Sequence, residues 1–392
     1  MTKKIDENQI NATLLAPQKD RTAIIDILRG WALLGVVIVN YSIFYNLGVD
    51  SKPHTEGNGV KFSMGVVQIF FGSKSWTLLS VLFGYGFSIL ISNLKIKGIN
   101  SSVFFTRRMF WLFIIGIINS AFYFGDILKD YALMGLILLL FSQLNSKKLI
   151  LIAIFLLAID PLMNAWVVEH RTPSEFSSIL FQLSWYKSHN IFDGLLFGIW
   201  GSFKMFFLPF IFNVRLLMLS CFLIGMSLQK INFLDRLSDN IKIIKRCFWM
   251  AWIFIIILFI SVIVSQSLHL KIGRYYYIIN WFTLALTFII ATGICLIYNS
   301  DKFPAIFRAL QIYGRMTLTN YVMQNAIGFL LFSGCGLRLM DSMPYYMYLL
   351  AGIVIYIFQV LFSKWWLCRN SFGPLEWLWR CLSYNRKLQL RK

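Results

Sequence analysis

Charge is what this sequence has least of. Only 14% of its 392 residues are Asp, Glu, Lys or Arg, against 58% apolar and 17% aromatic, and the mean hydropathy is +0.67. One soluble core cannot hide so much hydrocarbon, so a water-soluble globule is excluded and a bilayer must act as the solvent. The six cysteines form no CxxC and no paired spacing, which argues against a disulfide framework or a thiolate metal site. The four histidines, His54, His170, His189 and His269, make no HExxH and no evident triad, and no Walker A, GxGxxG or GxSxG sequence occurs. Soluble-type nucleotide hydrolysis, dinucleotide binding and serine-hydrolase chemistry have no support, and no metal is expected.

What the chain has in quantity is apolar runs separated by charged interruptions. Crossing about 30 Å of hydrocarbon takes roughly 20 apolar residues, and such runs recur at 29–48, 74–93, 108–125, 128–144, 148–168, 205–228, 247–267, 275–298, 317–335 and 345–367. Stretches such as 248–264 are solidly apolar, without the alternation of a barrel strand, so the class is all-α: a polytopic bundle of about ten transmembrane helices. The fourth run is short and follows the third closely, as in a tight hairpin.

Lys and Arg gather in alternate connections: Lys3, Lys4, Lys19 and Arg21; Lys95, Lys97, Arg107 and Arg108; Lys147 and Lys148; Lys230, Arg236, Lys242, Lys245 and Arg246; Lys302, Arg308 and Arg315; and the closing Arg386, Lys387, Arg391 and Lys392. Cytoplasmic segments keep positive charge, so both ends are assigned to the cytoplasm of a bacterial plasma-membrane protein. Lys271 and Arg274 break the pattern. The formal net charge of +20 then reflects anchoring to anionic inner-leaflet lipid and requires no nucleic acid. Residues 1–22 read as a disordered cytoplasmic N-terminus without a cleavable signal. Residues 23–368 form the membrane domain and 369–392 a basic cytoplasmic tail. Within the membrane domain, 169–204 is too polar to span yet carries aromatics and leucines, as an extracytoplasmic interfacial helix or lid would.

Polar residues inside apolar spans are expensive and ask for a partner or a purpose. Asp26 and Arg29 are three apart on one helix face, as an ion pair fixing the first helix or as ligand-binding groups. Asn40 stands eleven residues above Arg29, about 16 Å along a helix. Arg215, beside Asn213, lies deep in the sixth span, where Asp160, followed by Pro161, matches it in sign and depth. Asp126 and Asp130 fall at the outer mouth, with Asn119 deeper, as helix caps or as functional acids. Asn320 and Gln324 share a face at i and i+4, and with Thr317, Thr319 and Asn325 they give the ninth span a polar density suited to a conduit, a substrate site or interhelical packing.

Five motifs, IDILRGWALLGVVIVNYSIF, WTLLSVLFGYGF, FGDILKDYALMGL, GRMTLTNYVMQN and SFGPLEWLWR, resemble in order and spacing those of the YeiB-like bacterial membrane family, domain of unknown function 418. More remotely, the LRG-containing first helix is similar to that of membrane acyltransferases, including the acyltransferase-three group and the lysosomal heparan glucosaminide acetyltransferase. That resemblance implies transfer of an acyl group from cytosolic acyl-CoA or acetyl-CoA to an envelope or secreted acceptor. It implies that Arg29 and Arg315 attract the CoA phosphates, that Asn40 polarises the acyl carbonyl, and that His54 or Asp126 is the acceptor-side base. Acyltransferase-three proteins typically carry histidine where Asn40 stands, whereas the heparan enzyme resembles the Asn40-Tyr41 pair. YeiB-like relatives tend to carry histidine where Asn119 stands. The competing expectation is a transporter or immunity-type protein that binds a small molecule or peptide, with Asp160, Arg215, Asn320 and Gln324 lining its site; a third is a catalytically inactive scaffold.

Overall fold

The computed structural model describes residues 23–44, 57–170, 183–269 and 276–392. The readings made for 1–22, His54, Lys271, Arg274 and part of 169–204 lie outside the described residues. Apart from one isolated antiparallel bridge, Asn370 to Arg391, the regular structure among the described residues is helical, as the apolar runs require. Helix α1 is Ala23–Val39, continued by a π-helical turn, Asn40–Phe44. Helix α2, Asn58–Val66, passes through a second π turn, Val67–Phe71, into α3, Gly72–Ile96. There follow α4 Ser101–Ser120, α5 Leu128–Leu138 and α6 Ser146–His170. After a single turn, Leu183–Tyr186, come α7 Ile191–Phe207, α8 Pro209–Lys230, α9 Ile241–Ser267 and α10 Ile279–Asn299. The chain closes with α11 Pro304–Gly314, α12 Thr317–Phe332, α13 Tyr345–Arg369 and α14 Pro374–Tyr384.

Among the described residues, eight helical stretches are long and apolar enough to cross a bilayer: Ala23–Ile43, Asn58–Ile96, Ser101–Ser120, Ser146–Val167, Phe212–Lys230, Ile241–Ser267, Ile279–Asn299 and Tyr345–Arg369. The fourth and ninth apolar runs differ from expectation. The first of these becomes α5, 11 residues extended by a 3-10 turn at Leu139–Phe141; the other becomes α12, 16 residues that start only after a break at Arg315–Met316. At 1.5 Å per residue these helices span about 16 and 24 Å, less than a hydrocarbon layer. The polar FGDILKD sequence keeps α5 short, because residues 121–127 form a turn in which the amides of Phe122 and Tyr123 both return to the Asn119 carbonyl. Part of the 169–204 segment forms α7. The basic tail is itself folded, with α14 packed on α4 and α12.

Small residues set the closest helix crossings. A Cβ on Gly30 would collide with the Leu310 carbonyl, and one on Gly314 with the Asp26 carbonyl, so α1 and α11 cross backbone to backbone. Gly84 and Gly225 form the same reciprocal pair between α3 and α8, against Phe222 and Val81. In lipid the driving force for helix association is this packing together with interhelical hydrogen bonds. Two such bonds tie α8 to α3 and to α6, Ser88 Oγ to Gln229 at 2.5 Å and Ser146 Oγ to Ser227 Oγ at 2.7 Å. Helix α9 is peripheral: Ile244 is its one buried residue, and Trp249, Ile256 and Phe259 stand exposed where lipid is the natural solvent.

Candidate functional site

The 121–127 turn is folded into the bundle, and its aromatics explain why. Tyr123 and Phe124 are buried, and Phe124 meets Phe197 of α7 with ring centroids 5.5 Å apart. Gly198 lets α7 rest directly on the carbonyls of Ser120 and Ala121. Helix α7 therefore roofs the turn.

Beneath that roof, Asp126 is a hub 5% exposed. Its Oδ1 accepts from Asn119 Nδ2 at 2.6 Å and from the Tyr321 hydroxyl at 3.1 Å. Its Oδ2 accepts from the Leu128 amide at 3.2 Å and pairs with Lys129 Nζ at 3.6 Å. Lys129 Nζ also donates to Ser120 Oγ at 2.6 Å and to Ser202 Oγ of α7. A carboxylate in a medium without water persists when its lone pairs are filled in this way. One residue on, Asp130 Oδ1 accepts from Arg215 Nε at 2.6 Å. Arg215 in turn donates to the Phe206 carbonyl at 2.6 Å and lies over the Phe206 ring, 4.0 Å from its centroid. The expected pairing of Arg215 with Asp160 is thus corrected. Arg215 reaches α5, while Asp160 is bonded by Asn280 Nδ2 on α10. Depth in the membrane matched Asp160 to Arg215, but azimuth did not.

A second arm of the network rises from α1. The Tyr123 hydroxyl donates to Asn40 Oδ1 at 3.0 Å, and Asn40 Nδ2 donates to Asn325 Oδ1 at 3.4 Å. The Tyr41 hydroxyl donates to the Gln324 carbonyl at 2.8 Å. Tyr321 and Asn325, one turn apart on α12, link the Asp126 and Asn40 arms. The π turn at Asn40 widens the helix where these bonds form, a feature often found at functional sites. Gln324 is fully buried, yet neither atom of its carboxamide has a hydrogen-bond partner among the described residues, and Asn119 Oδ1 is likewise unpartnered among them. Such groups cost roughly 1–3 kcal/mol each when left unpaired.

Asn320 occupies a different setting. Its Nδ2 donates to the Tyr313 carbonyl at 3.1 Å and to Ser363 Oγ at 3.0 Å, and Gln359, bonded to the Tyr313 hydroxyl at 2.8 Å, donates to its carbonyl at 2.8 Å. This closed set joins α11, α12 and α13, so Asn320 and Gln324, although on one face, part company: the first is saturated and the second is not.

Arg29 and Asn40 lie on nearly one face of α1, since eleven residues at 100° each return to within about 20° after three turns. Arg29 pairs with Asp26 at 3.5 Å and borders Gly86 of α3. Gly314 sits on the Asp26 carbonyl and the Gly30 amide, which brings Arg315 beside the turn that carries Asp26 and Arg29. Arg108 lies within electrostatic range of Arg29 and Arg380, and its guanidinium stacks 3.6 Å from the Trp379 ring centroid. The result is a cluster of arginines at the end of the bundle away from Asn40. Sequence reasoning missed Tyr123, Lys129, Tyr321 and Ser202 as site residues. The i, i+4 spacing of Tyr321 and Asn325 and the presence of Lys129 between two acids were the available signals.

Comparison with known proteins finds bacterial relatives over nearly the whole chain. Residues 228–386 match the family described as Protein of unknown function (DUF418). An uncharacterized 39.9 kDa protein from the amylase 3′ region of Bacillus acidopullulyticus is 27% identical over 372 residues, 95% of this chain and 96% of that one. The uncharacterized protein YxaH of Bacillus subtilis (strain 168) is 26% identical over 93% of this chain and 94% of its own length. The uncharacterized protein YeiB of Escherichia coli (strain K12) is 24% identical over 93% and 96%. No solved structure matches the chain.

Proposed function

We propose that this chain, which belongs to the YeiB-like DUF418 family, is a multi-pass protein of the bacterial plasma membrane that moves an acyl group from cytosolic acyl-CoA or acetyl-CoA to an envelope or secreted acceptor. Both chain ends face the cytoplasm, and the fourth and ninth apolar runs complete the crossing as short helices inside the bundle.

The observation that carries this reading is the alignment of Arg29 and Asn40 on one face of α1, with the arginine cluster at one end and the Asn40–Tyr123–Asn325 network about 16 Å further on. Arg29 and Arg315 hold the phosphates of the donor by charge-assisted hydrogen bonds. The donor's flexible arm then follows α1 toward Asn40, whose carboxamide, held by the Tyr123 hydroxyl, uses its second N–H to polarise the thioester carbonyl. The acceptor hydroxyl oxygen attacks that carbonyl carbon, the C–O bond forms, the C–S bond breaks, and the thiolate leaves to be protonated. Asp126 or His54 takes the acceptor proton; loss of transfer in His54→Ala but not in Asp126→Asn assigns it to His54, and the reverse assigns it to Asp126.

The test is direct binding of radiolabelled acetyl-CoA to membrane vesicles of both orientations. Saturable binding confined to vesicles that expose the cytoplasmic face, and lost in Arg29→Ala, supports the reading; equal binding by Arg29→Ala contradicts it.

One observation favours a transporter or immunity-type reading: the unpartnered Gln324 carboxamide, fully buried beside Tyr41 and Asn325, is suited to grip a small polar molecule or peptide passing along α12. Uptake of a labelled solute that falls in Gln324→Leu while acetyl-CoA binding is absent would select it.

A further inference from the structure

Asp160 is fully buried in α6, and its Oδ1 has no hydrogen-bond partner. Its Oδ2 accepts from Asn280 Nδ2, a neutral amide, and no Lys or Arg among the described residues lies within ion-pair distance of it. One turn further along the same face, Asn164 accepts from Asn213 Nδ2 of α8 at 3.4 Å. Asn213 Oδ1, on a residue 4% exposed and held beside α6 by that bond, is also without a hydrogen-bond partner among the described residues. The backbone adds a third oxygen. Pro161 lies inside α6 and has no N–H to give the Leu157 carbonyl, which is directed up the helix toward the level of Asp160. Leu157, Asp160, Pro161 and Asn164 follow one another at i, i+3, i+4 and i+7, so these groups share one helix face. The same stretch of α6 is tied to the segment before α10, because the Pro161 carbonyl accepts the Tyr277 amide at 3.1 Å.

We propose that this face is a binding site for a sodium ion, with the Asp160 carboxylate, the Asn213 carboxamide oxygen and the Leu157 carbonyl as ligands. The donor set is all oxygen, which suits a hard cation. It carries a single negative charge, which one monovalent ion neutralises where a divalent ion would leave the membrane interior charged. Helix carbonyls freed at a proline within the membrane line ion sites in the same manner. Asn280 Nδ2 orients the carboxylate by holding Oδ2, leaving Oδ1 for the ion. The site stands apart from the Asp126 hub and does not depend on acyl transfer.

The test uses the full-length protein in nanodiscs at constant ionic strength, exchanging sodium chloride for potassium chloride or choline chloride. The thermal unfolding midpoint is followed together with the emission of Trp281, taken as the difference between the wild type and Trp281→Phe; its Nε1 bonds Tyr276 at 2.9 Å next to Asn280. The expected result is a saturable rise in midpoint and a change in Trp281 emission with sodium only, both lost in Asp160→Asn. Should Asp160→Asn not fold, Asn213→Leu serves in its place and must weaken the apparent sodium affinity at least tenfold. Equal effects of sodium, potassium and choline, or a sodium response that survives in the variant tested, would overturn the proposal.

Discussion

The carboxylate of Glu376, on α14, caps the N-terminus of α12: its Oε1 accepts the amides of Leu318 at 2.6 Å and Thr319 at 3.0 Å, and its Oε2 accepts the Thr319 hydroxyl at 2.5 Å. Thr319 Oγ1 in turn accepts the Leu375 amide at 3.1 Å. A cap supplied by a residue 58 positions away ties the GPLEW and RMTLTNY motifs into one unit, and a negative charge here also complements the helix dipole. Helix α12, which carries Tyr321, Gln324 and Asn325, is therefore positioned by the segment that composition marks only as a basic tail. Glu376→Ala should lower stability by about 1–2 kcal/mol, read as a lower unfolding midpoint in nanodiscs; an unchanged midpoint would show that the cap contributes nothing.

Burial holds the Glu376 carboxyl above its ordinary range, against the opposing pull of the Thr319 and Leu318 donors. A carboxyl whose folded pKa is raised is most compatible with the fold when protonated, so its ionisation weakens folding as pH rises from the unfolded value of about 4.3 through the folded value. Glu376→Gln removes this titration. The stability of the wild type relative to Glu376→Gln should fall across that window and level off above it, measured as the difference in midpoint at successive pH values.

Asp130 and Arg215 form a buried pair across α5 and α8. Removing either partner alone leaves an uncompensated charge, with an expected loss of about 3–5 kcal/mol, whereas replacing both by apolar residues should recover most of it. Arg215→Leu, Asp130→Leu and the double variant complete the cycle; additive losses would mean that the two side chains do not act as a pair.

Gly314 lies against the Asp26 backbone, so Gly314→Ala should cost about 1–3 kcal/mol through the forced separation of α1 and α11. The same change should weaken acetyl-CoA binding, because it moves Arg315 away from Arg29. Retained affinity in a destabilised protein would separate the two effects.

Much of this arrangement is readable from sequence, and for definite reasons. The Asp26–Arg29 pair is local, and the apolar runs fix the class because only helices satisfy every backbone group in hydrocarbon. The long-range partners of Asp126, Asp130 and Asp160 were not readable. They come from Tyr321, Arg215 and Asn280, which are 195, 85 and 120 positions distant, and depth in the membrane constrains height without constraining azimuth. The shortness of α5 and α12 was hidden too, since hydropathy counts apolar residues and is blind to a buried turn such as 121–127 that ends a helix inside the bundle.

The proposed transfer begins with an acyl-CoA donor held at Arg29 and Arg315. Thermal unfolding of the purified protein in nanodiscs, with and without acetyl-CoA and free CoA, tests it most directly. The account predicts a ligand-dependent rise in midpoint that is lost in Arg29→Ala and retained in Asn40→Ala. No shift in the wild type at millimolar ligand, or an equal shift in Arg29→Ala, would contradict it.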